Sequence, residues 1–523
     1  MKKISISKKT AGILLTVICL IQLGVSLYFG SQKSFLMCDE LFTYGAANYD
    51  GGIMMEFPLN DWKNDEVFME YVTPGENAFS YEIPYENQSL DVHPPLYYYL
   101  IHTISSFNPY EFSYWTGIGL NIVLFLGCTV VLYFLVYELV KSRGCALMTC
   151  LFYVLSYGGL NTMLFIRMYM LFALALLLHL LVYIRYWERE KIPVKGYVFL
   201  GLTLVLGAMT QYYFLIAAFF LGVWYTFKLL FKKRFRELGI YLGTVAAAAA
   251  VSLSLFSPMW DQIFHGSRGT QAQDKFWVFE GFPRSLLNMF NIISDQMFRG
   301  YLWLVLGVIA VLLIAFAVRF KRLPLREGSR ILPVIFMAAG YFLLVTKIAP
   351  EVTDRYMMPL FPVVLLLAFC FLYVLIYELL PVKKQLALAV CVAFGLFLCI
   401  PTLKGRVPAY AYSGMKEHTE LMKQYSDKKA VYIDREFYWW EYYDLIQVMK
   451  ENSDFYVISY ARIIQDEIDS ALEYTAEDEE VIVYVGNTQL DEEITEYIKN
   501  TVKAKEMVLL DQFSRYTVYR AIR

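Results

Sequence analysis

Residues Ala11–Gly30, AGILLTVICLIQLGVSLYFG, form an uninterrupted apolar run, and a polar, acidic loop follows it directly. About 20 consecutive apolar residues are enough for a helix to cross the hydrocarbon core of a bilayer. The run is too long for the apolar region of a typical secretory signal, and no small-x-small cleavage site follows it. We therefore predict that it is an uncleaved first membrane span.

The charge pattern predicts how the chain crosses the membrane. Apolar runs of membrane length recur through most of the 523 residues, of which 58% are hydrophobic. Lys and Arg collect in the short linkers between these runs, whereas residues 31–112 hold only Lys33 and Lys63 among many acids. Short loops rich in Lys and Arg stay on the cytoplasmic side of a membrane. We therefore predict a multi-pass cell-membrane protein with a cytoplasmic N-terminus and with loop 31–112 outside.

Threading the apolar runs between the basic linkers gives about eleven predicted membrane helices. Two of them, near 145–160 and 196–210, are short for a bilayer. An odd number of crossings places the segment after residue 403 outside. The predicted spans cover residues 11–30, 113–140, 145–160, 168–187, 196–210, 212–230, 237–257, 300–318, 331–348, 357–379 and 385–403.

The segment 404–523 alternates short apolar strands with helices, which predicts a small α/β domain with a mostly parallel sheet. We thus expect a transmembrane domain at 1–403, which carries the outer loop, and an extracytoplasmic domain at 404–523. No Gly-rich phosphate loop follows a strand there, so the nucleotide-binding fingerprint is absent. Predicted strands cover 430–434, 455–459, 481–485, 507–511 and 516–521, and predicted helices cover 412–424, 439–450, 464–474 and 492–501.

The first outer loop opens with an acidic pair, Asp39 and Glu40, a few residues beyond the membrane exit. A carboxylate in a partly apolar mouth loses solvation, which would let it act as a general base near neutral pH. The alternative is a pair of solvated acids on a loop that has many others.

The same loop closes with Asp91-Val92-His93-Pro94-Pro95. Proline suits the first turn of a helix, where an N–H group has no partner in any case. The predicted helix after it, about twelve residues long, is too short to cross a bilayer, so we place it at the outer membrane face. A helix N-terminus favours an anion, and His93 could donate to a phosphate there. The alternative is an exposed histidine at an ordinary helix start.

Two arginines lie at predicted outer membrane boundaries. Arg167 is embedded among the apolar residues of 161–170, where a charge is expensive and marks a functional candidate. Its planar fork suits a phosphate, and the alternative is snorkelling to the interface. Arg355 begins a later span and would be a second cation on the same side, and the alternative there is a local ion pair with Asp354.

Taken in order, these residues resemble the GT-C class of membrane glycosyltransferases. Within that class the chain is similar to the family 39-type bacterial enzymes related to protein mannosyltransferases and to the aminoarabinose transferase of lipid A. The resemblance covers about residues 1–400 and rests on the ordered combination of motifs. The matching stretches are Asp39-Glu40, His93-Pro94-Pro95-Leu96-Tyr97-Tyr98, Arg167-Met168-Tyr169 and Arg355-Tyr356-Met357-Met358-Pro359-Leu360-Phe361-Pro362.

The resemblance implies transfer of a sugar from a polyprenyl-phosphate carrier to an acceptor hydroxyl on the outer face, with inversion at the anomeric carbon. Asp39 would remove the acceptor's proton, and Glu40 would help to position acceptor or donor. We therefore expect Asp39, Arg167 and Arg355 to border one cleft. The leaving phosphate and the rest of the substrate would be bound by His93, Arg167, Tyr169, Gln211, Tyr212, Arg355 and Tyr356.

One departure from the family concerns metal. Many relatives carry an Asp in the second outer loop within a Thr-Asp-Met-like sequence, whereas the corresponding stretch 166–169 has no acid. We therefore predict activity without a divalent metal and without a cofactor. The partners we expect are the lipid-linked donor, membrane lipid and an acceptor of unknown kind, with no nucleic acid among them.

A transporter or flippase of lipid-linked saccharides is the main alternative function. Transporters hold their charged sites near the bilayer midplane, often within broken paired helices, whereas the candidate charges here collect at the outer rim. A sensor or scaffold whose tail binds a partner leaves Asp39, Glu40 and His93 without a role. The sugar and the acceptor depend on pocket shape, which a fold class does not set.

Overall fold

The computed structural model of the chain is built mainly from apolar helices, as a bilayer requires. In hydrocarbon every backbone N–H and C=O must find its partner within the protein, and a helix satisfies them within its own segment. The predicted α-helical membrane architecture is confirmed. The structure describes residues 6–55, 61–187, 189, 191–320, 330–379, 384–434, 439–459, 475, 479–486, 496, 499–500, 502–513 and 516–523.

Each predicted span coincides with an apolar helix or with a broken helix pair. Seven helices of the described part are long and apolar enough to cross a bilayer alone. A further candidate is the pair Arg143–Val154 and Tyr157–Leu164, which is bent by 56°. The chain is therefore a multi-pass membrane protein. The long helices are Lys8–Gly30, Tyr114–Val140, Tyr169–Tyr186, Tyr213–Phe231, Phe235–Leu255, Leu302–Phe320 and Met358–Leu379, and the shorter apolar ones are Val194–Ala208, Leu332–Ile348 and Lys384–Leu403.

Shorter helices fill two long connections between the spans. The predicted helix after His93 is confirmed as Leu96–Ser105, which has 10 residues, and its location at the membrane face stays a prediction. Three more helices precede it in the first connection: Cys38–Asn48, Glu66–Val72 and Glu82–Leu90. The second connection holds Met259–Phe264, Ser267–Trp277 and Phe282–Phe298.

The chain divides into two compact units, each assembled from separate segments. Unit 1 comprises Met1–Ser31, Gln88–Tyr97 and Trp115–Ala409 and contains the apolar helices. Unit 2 comprises Gln32–Asn87, Tyr98–Tyr114 and Tyr410–Arg523. This division differs from the predicted domains 1–403 and 404–523, because most of the outer loop groups with the C-terminal segment.

Unit 2 contains a sheet with the strand order β1-β3-β2-β4-β6-β5 among the described residues. The five strands predicted for the C-terminal segment are confirmed, whereas β1 lies in the first outer loop and was not predicted. Its pairing with β3 explains in part why that loop belongs to unit 2. The strands are Trp62–Lys63 (β1), Ala430–Asp434 (β2), Phe455–Ser459 (β3), Glu480–Gly486 (β4), Glu506–Phe513 (β5) and Tyr516–Ile522 (β6).

The prediction of a mostly parallel sheet is wrong. Strand β2 pairs in parallel with β3 and β4, but β1–β3, β4–β6 and β5–β6 are antiparallel. Parallel neighbours need a crossover of about a dozen residues, and only residues 514–515 separate β5 from β6. Helices Met415–Met422 and Trp439–Met449 confirm two of the predicted tail helices. The predicted helix 464–474 and most of 492–501 lie outside the described residues.

Candidate active site

The predicted site residues are distributed over both units. Asp39 and Glu40 belong to unit 2, within helix Cys38–Asn48. The prediction that Asp39 shares a cleft with Arg167 and Arg355 stays a prediction. The residues that belong to unit 1 are His93, Arg167, Tyr169, Gln211, Tyr212, Arg355 and Tyr356.

Asp39 and Glu40 occupy the first turn of their helix, where the helix dipole favours acids. Asp39 is partly exposed, and its backbone carbonyl accepts a hydrogen bond from the Thr43 hydroxyl at 3.2 Å. Glu40 is fully buried. Of the two acidic residues, Asp39 is therefore the one that solvent can reach.

The buried Glu40 carboxylate is engaged at both oxygens. Lys33 Nζ donates to Oε1 at 2.8 Å, and the Met37 backbone N–H donates to Oε2 at 2.9 Å. Lys33 is also fully buried at its side chain and donates to the Tyr410 carbonyl at 2.7 Å. Burial lowers the pKa of Lys33, and the Glu40 charge opposes that shift. The predicted role of Glu40, to help position acceptor or donor, stays a prediction.

A polar cluster in unit 1 contains Asp91, His93, Arg167, Tyr212 and Gln262, and we call it the Asp91 cluster. Asp91 Oδ2 and His93 Nδ1 lie 2.9 Å apart, and each side chain is 21% exposed. Because Nδ1 faces Asp91, the other ring nitrogen of His93 is directed away from the carboxylate. The Asp91 contact thus orients His93 for a third group.

Arg167 contributes a buried positive charge to the Asp91 cluster. Its residue is 6% exposed, and its charge acts on the Asp91 carboxyl. Burial alone would raise the pKa of Asp91. The His93 charge and hydrogen bond, the Arg167 charge and the Val92 N–H together hold the pKa of Asp91 below its ordinary value. Asp91 is therefore ionised at neutral pH and helps to balance the charge of Arg167.

A break between two helices positions Arg167. Helix Tyr157–Leu164 ends before it, helix Tyr169–Val182 begins after it, and the Arg167 N–H donates to the Phe165 carbonyl at 2.8 Å. A break of this kind leaves backbone carbonyls that need partners inside a membrane protein. Arg167 therefore lies in a tight turn rather than on a continuous helix.

Asn121 of helix Tyr114–Val140 supplies those partners. Its Nδ2 donates to the carbonyls of Met163 at 3.0 Å and Phe165 at 2.9 Å. Its Oδ1 accepts from the Tyr97 hydroxyl at 3.0 Å, and both residues are fully buried. Tyr97 lies in the helix that begins after His93-Pro94-Pro95. The buried Asn121 amide therefore connects the turn of Arg167 with helix Leu96–Ser105, which begins after His93.

Tyr212 joins the Asp91 cluster from another helix end. Its hydroxyl donates to Gln262 Oε1 at 2.5 Å, and Gln262 Nε2 donates to the Gln88 carbonyl at 2.6 Å. Burial raises the pKa of the Tyr212 phenol, and the Asp91 charge adds to the shift. Tyr212 thus remains a protonated donor. Its neighbour Gln211 is 5% exposed, and its contact with a substrate stays a prediction.

Tyr169 connects the Asp91 cluster with the Arg355 region. It lies close enough to Tyr356 and Arg167 for both to act on its phenol. Tyr356 accepts a hydrogen bond at its carbonyl from the Tyr341 hydroxyl at 3.0 Å. The Arg355 guanidinium lies 5.2 Å from the Tyr356 ring and pairs with Glu351. A local ion pair was the alternative predicted for Arg355, although with Asp354 as its partner.

The arrangement in unit 1 is suited to an anion. Arg167, His93 and Tyr212 converge around Asp91, and charge-assisted hydrogen bonds from such donors are the strong contacts to a phosphate. The surrounding helices are apolar, which suits a hydrocarbon chain. No group of three His, Cys, Asp or Glu side chains that could hold a metal occurs in the described part of the chain, and metal independence stays a prediction.

Four residues of these networks were not predicted from the sequence. Asp91 stands two positions before His93 and could have been found as the partner of that histidine. Asn121 is an amide side chain inside a largely apolar span, which is itself a functional signal. Lys33 is one of two lysines in an acidic loop. No feature of the sequence around Gln262 distinguishes it from other polar loop residues.

Comparison with known proteins places the fold. No family model matches the chain, and no curated protein matches it by sequence. ArnT from Cupriavidus metallidurans in the apo state has a TM-score of 0.56 at 11% identity over 98% of both chains. The same protein bound to undecaprenyl phosphate has a TM-score of 0.54 at 10% identity, over 97% of both chains.

A third solved structure is similar over a smaller share of its own length. The archaeal oligosaccharyltransferase AglB from Archaeoglobus fulgidus, in complex with an inhibitory peptide and a dolichol-phosphate, has a TM-score of 0.47 at 11% identity. The match covers 91% of this chain and 69% of that chain. The predicted resemblance to GT-C membrane glycosyltransferases is confirmed at the level of the fold by the full-length likeness to ArnT.

Proposed function

We propose that this protein is a membrane glycosyltransferase that moves a sugar from a polyprenyl-phosphate donor to an acceptor hydroxyl. The observation that carries the proposal is the Asp91 cluster, in which Arg167, His93 and Tyr212 gather at the ends of apolar helices. A lipid-linked sugar phosphate needs both of these surroundings, because its phosphate requires donors and its chain requires an apolar surface.

The fold supports the same donor class. ArnT, whose fold the chain shares, has been solved with undecaprenyl phosphate bound. In this chain we assign the phosphate to Arg167, His93 and Tyr212, with Tyr169, Gln211, Arg355 and Tyr356 around the rest of the substrate. Donors that are already in place stabilise charge as it develops on a leaving group.

Asp39 is the general base of the proposed reaction. The acceptor oxygen attacks the anomeric carbon, and the bond between that carbon and the phosphate oxygen breaks on the opposite face. The acceptor's proton passes to the Asp39 carboxylate, and polyprenyl phosphate leaves as an anion that Arg167 and His93 stabilise. Attack from the side opposite to the leaving group inverts the anomeric centre.

The charge pattern supports an outward-facing reaction. Basic linkers would keep the N-terminus in the cytoplasm and would place loop 31–112 and the C-terminal segment outside. Transfer would then take place on the outer face of the cell membrane, with membrane lipid as the solvent of the carrier chain. A hexose and a pentose are both compatible with this chemistry.

Transfer assays with Asp39→Asn test this proposal. The purified protein in proteoliposomes is offered a panel of radiolabelled polyprenyl-phosphate sugars together with cell-envelope acceptor fractions. We expect transfer by the wild type and a loss of at least about a hundredfold in Asp39→Asn, since general-base catalysis contributes that much. The control is Asp65→Asn, which changes an exposed acid of the same loop. Full activity of Asp39→Asn would remove the proposed base.

A chelator tests the prediction that no divalent metal takes part. We expect the transfer rate to be unchanged after treatment with EDTA, because Arg167 and His93 supply the positive charge that the leaving phosphate needs. Activity that is lost in the chelator and restored by Mg²⁺ or Mn²⁺ would refute the prediction.

A further inference from the structure

We propose that Lys33 and Glu40 act as a positioning pair for Asp39 and that Glu40 does not touch a substrate. This inference rests on the proposed function, because it concerns the base of that reaction. Its starting point is the full burial of both side chains, which form an ion pair at 2.8 Å. No substrate-binding role has to be assumed for either residue.

The contacts of Glu40 leave little capacity for an acceptor. One oxygen accepts from Lys33, and the other accepts from the Met37 N–H at the start of helix Cys38–Asn48. The second contact is one half of a capping box, in which a side chain three residues into the helix satisfies the N–H before it. Glu40 therefore closes the first turn, and Asp39 is one of the two residues, with Cys38, that lie between Met37 and Glu40.

The other side of the pair is anchored to the C-terminal part of unit 2. Lys33 donates to the Tyr410 carbonyl at 2.7 Å and lies 5.3 Å above the Tyr412 ring. The Ser34 hydroxyl donates to the Tyr412 carbonyl at 2.6 Å. The segment that leads to Asp39 is thus fixed at its start by residues far away in the chain.

Gln447 fixes the middle of the same segment. Its Oε1 accepts from the Leu36 N–H at 2.8 Å, and its Nε2 donates to the Leu36 carbonyl at 2.9 Å. The backbone from Lys33 to Glu40 is therefore held at both ends and at its centre. This arrangement fixes the backbone that carries Asp39 and thereby the direction of its side chain.

A double-mutant cycle separates a positioning pair from a substrate contact. Removing one member of a buried ion pair leaves the other charge uncompensated, whereas removing both does not. We expect Lys33→Met and Glu40→Gln each to lower kcat about tenfold or more with the acceptor KM unchanged. The double variant should be less impaired than either single one. A raised acceptor KM in Glu40→Gln, together with a normal Lys33→Met enzyme, would mean direct substrate contact and would overturn the proposal.

Cys38 provides a readout that does not depend on activity. It is the first residue of the helix and is partly exposed, so its reaction with a membrane-impermeant maleimide reports the state of the first turn. In a Cys19→Ser background, we expect both single variants to react about threefold faster or more and the double variant to approach the wild-type rate. The control is Lys63→Met, which breaks an exposed pair with Asp61 in the same loop.

The two readouts distinguish the two proposals. A wild type that transfers no sugar from any donor refutes the proposed function, while the maleimide rates still show whether Lys33 and Glu40 hold the first turn together. Single variants whose maleimide rates equal the wild-type rate refute the pair, whatever the transfer assays show.

Discussion

At the scale of single residues, Asp91 supplies the negative charge that faces the Arg167 and His93 side chains of the candidate site. Its carboxylate lies 2.9 Å from His93 and is acted on by the buried Arg167. A buried arginine without a nearby carboxylate would have to find its compensation in a ligand. With Asp91 present, the Arg167 charge is partly compensated before a phosphate enters, and Asp91 orients the imidazole that would meet the phosphate.

Acid pH should weaken the contribution of Asp91 to stability. The pKa of Asp91 is lower in the folded protein than its ordinary value of 3.8, so the unfolded chain binds more protons in that range. The stabilisation is therefore present above that value and is lost as the pH falls through the folded pKa.

The test compares the wild type with Asp91→Asn in thermal unfolding in detergent from about pH 6 to about pH 3. We expect the variant to be less stable by about 2 kcal/mol at the upper end and the difference to shrink at the lower end. A difference that stays constant with pH would show that the Asp91 charge does not contribute.

Asn121 should contribute to the stability of the fold as well as to the arrangement of the site. Asn121→Leu removes three hydrogen bonds and leaves the carbonyls of Met163 and Phe165 and the Tyr97 hydroxyl without them. We expect a loss of about 3 kcal/mol or more, because buried polar groups left unsatisfied cost about 1–3 kcal/mol each. Thermal unfolding measures it, and Asn108→Ala is the control, since Asn108 bonds to Glu111 at the exposed surface. Equal stability of the two variants would show that the Asn121 bonds are replaced.

The site residues that could be predicted from the sequence are those whose position needs a special physical reason. Arg167 was recognisable because a charge among apolar residues needs a reason, and His93 because two prolines mark a helix start. Lys33 was not recognisable, because nothing local shows that it will be buried against Glu40. That burial depends on Tyr410, which is 377 positions away in the chain.

At the scale of secondary structure, the approach of helix Tyr114–Val140 to the turn of Arg167 depends on Gly117. A Cβ atom at Gly117 would lie 2.1 Å from Ile166 Cγ2, which is closer than any real contact. Ile166 precedes Arg167 directly, so a larger residue at 117 would displace the turn. The close packing of a glycine thus controls where the guanidinium is presented.

Gly117→Ala should therefore impair donor binding as well as packing. We expect at least about tenfold weaker binding of a polyprenyl phosphate, since a misplaced charged donor costs about 1.5 kcal/mol or more. Gly119→Ala is the matched control, because a Cβ at Gly119 of the same helix meets nothing within 4 Å. Ile166→Ala added to Gly117→Ala should restore part of the affinity. Equal affinities for the two glycine variants would contradict the role of the close contact.

Helices and strands were predictable to the extent that local pattern decides them. The apolar runs correspond to helices with boundaries shifted by a few residues, because a bilayer leaves an apolar segment no other way to satisfy its backbone. The strands of the C-terminal segment were also predictable, but their directions were not read correctly. The predicted strands 507–511 and 516–521 are only four residues apart, which already required an antiparallel pair. Strand β1 carries too little pattern to be recognised.

At the scale of the whole molecule, unit 2 is assembled from segments at opposite ends of the sequence. Strand β1 pairs with β3, with Trp62 opposite Tyr456, and Gln447 bonds to Leu36 across 411 positions. Pairings of this kind cannot be read from one sequence, because no local signal specifies a partner so far away. The predicted boundary near residue 403 coincides with the end of the last apolar helix, whereas the two compact units group most of the first loop with the C-terminal segment.

Gln447→Leu should therefore disturb a loop that is remote in sequence. The substitution removes both bonds to the Leu36 backbone, so we expect faster amide hydrogen exchange in residues 33–40 and a reduced transfer rate. Gln424→Leu is the control, since that glutamine is exposed in the same C-terminal segment. Unchanged exchange in residues 33–40 would show that the loop is held by other contacts.

Arg167 is the group that we propose binds the phosphate of a lipid-linked donor, and the proposed function depends most on this contact. The direct measurement is the affinity of the protein in nanodiscs for undecaprenyl phosphate, compared between wild type, Arg167→Ala and Arg185→Ala. Arg185 is an exposed arginine at the other end of the same helical run. We predict binding by the wild type and by Arg185→Ala, with a loss of at least about tenfold for Arg167→Ala alone. Equal affinity in all three proteins, or no binding by the wild type, would contradict the account.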